Sequence, residues 1–241
     1  KVLSGKYEEI RPCIGCHTGC LGRGFECKPL SCAVNPACGR ERYYEIKPTL
    51  VPKNVMVVGG GVAGMEAARI AKMRGHNVTV YEASNALGGV VIPGSVPDFK
   101  LDDRRLINWY KNEMKKLNIN VVLNTKVTEE LVDKEKPDIV IIATGAKEIK
   151  LSLPGIEKDK VASAVELLNG TKKAGKNVLM VGGGLVGCET ALYLAQAGKN
   201  VTIVEAKENI LSTGKPVPHM NKIMLIDLLK KYNVKVITNN S

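Results

Sequence analysis

The chain has 241 residues, 44% of them hydrophobic and 4% aromatic, with a formal net charge of +11. That balance suits a globular protein with a buried core. No apolar run reaches the roughly 18–20 residues of a membrane-spanning helix, and the acids Glu8 and Glu9 argue against a secretory leader. The lysines are spread along the sequence with few aromatic residues to stack on bases, so the charge suits small anionic ligands better than nucleic acid.

In chain order, residues 1–51 are rich in Cys, Gly and Pro with little periodicity, which predicts irregular loops. From Pro52 the texture becomes an α/β alternation. Asn54–Val58 reads as a buried parallel strand, Val62–Arg74 as a helix closed by Gly75, and Val78–Glu82 as a second strand. Gly88–Pro97 is a Gly/Pro/Ser-rich excursion, followed by an amphipathic helix over Leu101–Leu117 with Leu106, Trp109, Tyr110 and Met114 near one face. These residues are expected to pack that helix. Asn120–Leu123 and Asp138–Ala143 read as strands, and Leu153-Pro154-Gly155 as a turn and linker. Then the opening pattern returns: strand Asn177–Val181, helix Leu185–Ala197 ended by Gly198, and strand Val201–Glu205. A helix from about Met220 to Tyr232 and a strand at Val234–Ile237 complete the series. The expected organisation is a loop region over 1–51, one nucleotide-binding domain over 52–150, and a second, incomplete one over 151–241.

The repeat carries the functional reading. Val57-Val58-Gly59-Gly60-Gly61-Val62-Ala63-Gly64 mirrors Met180-Val181-Gly182-Gly183-Gly184-Leu185-Val186-Gly187, and Glu82 follows Gly59 at the interval at which Glu205 follows Gly182. Each copy is a strand, a Gly-rich turn, a helix and an acid ending the next strand, the full dinucleotide fingerprint. Gly59 permits the tight turn, Gly61 lets a pyrophosphate approach the backbone, and Gly64 lets helix and strand pack closely. The pyrophosphate sits on the helix N-terminus, where unbonded N–H groups and the dipole favour anions. Glu82 is placed to accept from a ribose, and Gly182, Gly184, Gly187 and Glu205 repeat these roles. A carboxylate at 205 favours NADH over NADPH, with Lys207 nearby to soften the repulsion of a 2′-phosphate.

Six of the seven cysteines fall between Cys13 and Cys38. Cys13, Cys16, Cys20 and Cys32 have the spacing Cys-x2-Cys-x3-Cys-x11-Cys. Four thiolates from one compact loop suit a [4Fe–4S] cluster, whereas zinc sites more often pair two Cys-x-x-Cys knuckles, with which Cys20 fits poorly. Zinc, disulfides, and a register that uses Cys27 or Cys38 in place of Cys32 stay open at this point. His17 is expected beside the ligands rather than among them. Cys188 opens the helix after Gly187 but has no later cysteine as partner, so it reads as a packing residue.

Taken together, Arg11-Pro12-Cys13-Ile14-Gly15-Cys16, Cys20 and Ser31-Cys32-Ala33-Val34-Asn35-Pro36, joined to the Gly-rich turn, resemble the 2,4-dienoyl-CoA reductase family. Its relatives include the clostridial-type enoate reductases, NADH oxidases and trimethylamine dehydrogenase. The resemblance covers essentially the whole chain and strengthens iron–sulfur over zinc. It implies an old-yellow-enzyme-type barrel carrying FMN, then the cluster loop, then an FAD domain interrupted by an NAD(P)H domain. The second Rossmann-like three-layer domain would therefore be nested in the first. Implied electron flow is NAD(P)H to FAD, to the cluster, to FMN, to an activated carbon–carbon double bond.

By the same resemblance, Cys13, Cys16, Cys20 and Cys32 are the ligands. Gly59, Gly61, Gly64, Glu82, Gly88, Gly89, Ala143, Thr144 and Gly145 face FAD. Gly182, Gly184, Gly187 and Glu205 hold NAD(P)H, with Glu189 near the nicotinamide. The barrel would be the chain's own partner domain, lying before residue 1, and the returning FAD-domain strands would follow residue 241. The residues that reduce the final substrate are then outside the sequence, and no catalytic residue is assigned. A cytoplasmic location, no membrane or nucleic-acid partner, and homo-oligomers are the accompanying expectations. Two other readings are an ADP-binding, non-redox module like that of trimethylamine dehydrogenase, and an electron-input subunit like that of glutamate synthase. The intact second turn disfavours the first, and the single four-cysteine set disfavours the second.

Overall fold

The structure, a computed structural model, describes residues 2–149, 152–212, 214 and 216–240. It divides into two compact units, one of Lys1–Ile14 with Arg40–Leu151 and one of Gly15–Gly39 with Ser152–Ser241. Within the cysteine region lies one short helix, α1 (Leu21–Phe25).

The first unit is built on four parallel strands, β1 (Asn54–Val58), β2 (Asn77–Tyr81), β3 (Asn120–Val122) and β4 (Ile139–Ile142), in the order β3-β2-β1-β4. Helix α2 (Val62–Met73) makes the crossover between β1 and β2. Short α3 (Val91–Gly94) and long α4 (Leu101–Lys116) lead to β3, and α5 (Glu129–Glu135) leads to β4. Strand β1 is buried through Val55, Met56 and Val57, as a strand covered on both faces should be. Met65 and Ala68 of α2 are fully buried, and α2 packs on α4. Leu106, Trp109, Tyr110 and Met114 are all buried on α4, so the two aromatic residues pack the helix as expected. The chain runs outward through β2 and β3 and then returns to the other side of β1. Its topological switch point lies between β1 and β4, where ligands of open α/β sheets bind.

The second unit holds α6 (Ala164–Leu168), β5 (Asn177–Val181), α7 (Leu185–Gln196), β6 (Asn200–Val204), α8 (His219–Lys231) and β7 (Lys235–Ile237), with parallel strands in the order β5-β6-β7. Its core gathers Cys188, Ala191, Leu192, Leu194, Val201, Ile203, Leu225 and Leu229. The outer strands are less covered: Leu179 and Val181 of β5 are 64% and 57% exposed, and Ile142 of β4 in the first unit is 78% exposed.

Both sheets begin on paired asparagines. Asn54 faces Asn77 and Asn177 faces Asn200 in register. Asn77 Nδ2 donates to Asn54 Oδ1 at 3.1 Å, and Asn200 Nδ2 to Asn177 Oδ1 at 2.8 Å. The long elements fall where periodicity puts them, within a residue or two. The short helices α1, α3, α5 and α6 were not anticipated. Among the described residues no helix is long and apolar enough to cross a membrane.

Candidate functional site

The first Gly-rich turn joins the end of β1 to α2 at the switch point. Gly59 has φ +108°, and a Cβ there would lie 2.3 Å from the Ala143 carbonyl oxygen, just past β4. A Cβ on Gly64 would lie 1.9 Å from the Gly59 carbonyl oxygen. Backbone conformation and packing therefore require both glycines. Gly61 is different. Its φ is −70°, open to any residue, and a Cβ there would meet no protein atom within 4 Å. Neither conformation nor packing calls for glycine at 61, and its lack of a side chain leaves the backbone open to close approach. Since Gly61 is the N-cap of α2, that space lies where the helix offers unbonded N–H groups.

Glu82 ties the turn together. Its Oε2 accepts from the Gly60 amide at 2.6 Å, and its Oε1 accepts from the Ser84 amide at 2.8 Å and hydroxyl at 2.7 Å. Burial works to raise this carboxyl, but the hydrogen bonds from Ser84, Gly60 and Ala83 outweigh it and hold it below the ordinary carboxylate range.

Gly88 donates from its amide to the Gly60 carbonyl at 2.9 Å and bridges to Gly61, and a Cβ on Gly89 would stand 3.1 Å from Gly61 Cα. The Ala143 amide bonds the Val58 carbonyl at 2.8 Å, with Thr144 next to it in the chain. The structure thus brings Gly59, Gly61, Gly64, Glu82, Gly88, Gly89, Ala143 and Thr144 to one place at the C-terminal end of the sheet. Gly145 follows with φ +72° and touches nothing there through a Cβ.

The second turn repeats the construction. Gly182 has φ +100°, Gly184 caps α7, and a Cβ on Gly187 would lie 2.1 Å from the Gly182 carbonyl oxygen. Glu205, 8% exposed, accepts from the Gly183 amide at 2.6 Å and the Lys207 amide at 2.8 Å. Those two amides hold it below the ordinary carboxylate range against the opposing effect of burial. Leu87 in one copy and Ile210 in the other sit where a Cβ on the middle glycine, Gly60 or Gly183, would go. That pair, and the bond from glycine amide to acid, escaped the sequence reading; aligning the two copies one turn further would have exposed Leu87 and Ile210. Glu189 lies half-buried further along α7. Cys188 is fully buried, its Sγ is 3.3 Å from the Gly183 carbonyl, and burial pushes its thiol up to about 12. It packs in the core of the second unit.

None of the seven cysteines is in a disulfide. Cys13 and Cys20 are exposed, and Cys16 and Cys32 are half-buried. The backbone folds the loop on itself: the Gly22 amide bonds the His17 carbonyl at 2.8 Å, and the Ser31 amide bonds the Gly19 carbonyl at 2.8 Å. A Cβ on Gly19 would lie 2.5 Å from the Ser31 carbonyl oxygen, so glycine there lets the segments carrying Cys20 and Cys32 run side by side. Among the described residues, no three His, Cys, Asp or Glu side chains are closed up into a metal-ready group. The donor chemistry suits a thiolate-held cluster: reduced sulfurs on a glycine-rich backbone.

Comparison with known proteins agrees with this geometry. The family model of the pyridine nucleotide-disulphide oxidoreductases matches residues 53–241. Cinnamate reductase of Clostridium sporogenes is 49% identical over 98% of this chain and 35% of its own length. NADH oxidase of Thermoanaerobacter brockii is 41% identical over 90% of this chain and 34% of its own. A solved 2-naphthoyl-CoA reductase, in complex with 2-naphthoyl-CoA, superimposes with a TM-score of 0.94 at 37% identity, over 100% of this chain and 36% of that one. The chain spans about a third of the length of these relatives. With two Gly-rich cradles at the C-terminal ends of parallel sheets, it belongs to the pyridine nucleotide-disulphide oxidoreductase family, alongside the enoate- and dienoyl-CoA-reductase-like enzymes.

Proposed function

We propose that the chain is the electron-transfer portion of an iron–sulfur flavoprotein oxidoreductase. In this reading NAD(P)H binds at the second Gly-rich turn, FAD at the first, and a [4Fe–4S] cluster at Cys13, Cys16, Cys20 and Cys32. The observation that carries it is Gly61: a glycine that neither its φ nor its neighbours explain, on the N-cap of α2 and beside Gly88 and Gly89. Residues 52–150 then hold the first part of the FAD site, residues 151–241 the NAD(P)H site, and residues 1–51 the cluster loop.

The chain's own groups bind and orient. The α2 N-terminus would take the FAD pyrophosphate and Glu82 a ribose hydroxyl, with Gly88, Gly89 and the Ala143-Thr144-Gly145 segment completing the FAD site. Gly182, Gly184 and Gly187 do the same for NAD(P)H, with Glu189 toward the nicotinamide. Glu205, held ionised, accepts from a 2′-hydroxyl and repels a 2′-phosphate, so NADH is the preferred donor. Bound flavin converts a two-electron donor into single-electron transfer, which an iron–sulfur centre can carry. The acceptor, by likeness to cinnamate reductase and 2-naphthoyl-CoA reductase, is an activated carbon–carbon double bond reduced at an FMN barrel.

Denaturing the purified protein should release FAD, and anaerobic NADH should bleach the flavin with a better kcat/KM than NADPH. Iron and acid-labile sulfide should be present in equal amounts. Release of ADP, or a flavin that stays oxidised under NADH, sinks the reading.

A further inference from the structure

Within the second unit the cysteine loop is fastened to the start of α8 by one side chain. Asn221 Nδ2 lies 3.3 Å from the Gly15 carbonyl oxygen, and Asn221 Oδ1 lies 2.5 Å from His17 Nδ1. The Gly15 carbonyl only accepts, so the amide nitrogen of Asn221 must face it and the amide oxygen must face His17. That oxygen only accepts in turn, so His17 carries its proton on Nδ1. The opposite amide orientation would set oxygen against oxygen at Gly15. His17 sits at φ +56°, a left-handed conformation a non-glycine residue adopts at a cost. Its carbonyl takes the Gly22 amide, and a Cβ on Gly22 would stand 3.0 Å from that same oxygen and 3.7 Å from Pro218 Cγ. The turn between Cys16 and Cys20 is therefore pressed against the first turn of α8 and pinned on both sides of Cys16, at Gly15 and at His17.

We propose that Asn221 is a positioning residue for the cysteine loop: by holding the Gly15 carbonyl and the His17 ring together it fixes the backbone path that presents Cys16 and Cys20. The proposal rests on the cluster reading above for its consequence, but not for its geometry. Among the described residues, the Asn221 side chain hydrogen-bonds Gly15 and His17 and neither Gly-rich turn. A partner that orients ligand-bearing backbone without being a ligand typically costs 10- to 100-fold in metal retention when removed.

The test uses the purified protein with Asn221→Ala and His17→Ala. In Asn221→Ala, iron loss to a chelator should be about tenfold faster, and the electron paramagnetic resonance signal of the reduced protein should shift. Flavin content and flavin bleaching by NADH should match the parent. In metal-free protein, iodoacetamide should label Cys16 faster in both variants, and the double variant should add little to either. Asn221→Asp, which keeps the acceptor for His17 but sets a second oxygen against Gly15, should fall between parent and Asn221→Ala. Unchanged labelling and unchanged iron loss in Asn221→Ala, with normal flavin content, overturn the proposal. If Asn221→Ala fails to fold, as lost flavin would reveal, His17→Ala leaves α8 intact and decides by the same two readouts. A parent without iron defeats the cluster reading, while the labelling of Cys16 still decides on Asn221.

Discussion

Gly61 and Gly64 stand three residues apart and separate two kinds of necessity. Alanine at 64 would drive a methyl group into the Gly59 carbonyl and should destabilise the protein by about 1–3 kcal/mol, measured by urea unfolding. Alanine at 61 meets no protein atom, so unfolding should change by no more than about 0.5 kcal/mol while flavin content falls sharply. Equal effects of the two changes on stability would refute the assignment of position 61 to a ligand. The acids make a second pair. Glu82 and Glu205 both have folded pKa values below the ordinary 4.5. Their stabilisation is complete above 4.5 and is lost as pH falls through the depressed folded values. Glu205→Gln should therefore lower Tm at neutral pH and flatten its decline in acid. A Tm profile parallel to the parent below pH 4.5 would contradict this. The glycine fingerprint was legible because its spacing is local. Asn221 was not, because it meets His17 across 204 positions of chain, and only folding joins them.

At the scale of elements, helices α2, α4, α7 and α8 were legible because each is long enough to show a helical period, and strands β1, β2, β5 and β6 because each is a short apolar run beside a turn signal. Helix α6 was not, although Ser163 and Glu166 form a capping box that is visible as Ser-x-x-Glu. Five residues are too few for periodicity, so a cap without a following apolar repeat gave no reason to assign a helix. Helix α5 is similar: Thr128 accepts from the Leu131 amide, and Lys136 closes the helix at φ +45°. The N-terminal segment is held by a contact no local pattern announces. Arg11 stacks 4.3 Å above the Trp109 ring and pairs with Glu66 at 3.3 Å, and Trp109 Nε1 donates to the Glu9 carbonyl at 3.2 Å. Arg11 and Glu66 are largely buried, so Arg11→Ala should cost about 1–3 kcal/mol. It should also expose residues 1–14 to limited proteolysis. A digestion pattern identical to the parent would show that the segment is held by other means.

For the molecule as a whole, the net charge is +11, and the cofactors proposed to bind are anions. Exposed charges act over about 10 Å at 0.1 M salt. Raising ionic strength from low to physiological should slow NADH association by up to on the order of tenfold, with little change in the rate of flavin reduction once NADH is bound. A stopped-flow series in sodium chloride separates the two; a salt-independent second-order rate would remove the role given to the charge.

Exposed apolar side chains on the outer strands of the two sheets bear on how this 241-residue chain behaves by itself. Among the described residues, strands β4 and β5 each pair with one neighbour, and Ile142, Leu179 and Val181 are exposed. A flat, greasy border with open amides is a template for other copies. Light scattering should grow with concentration, and lysines at 179 and 181 should act as gatekeepers that suppress it without touching flavin binding.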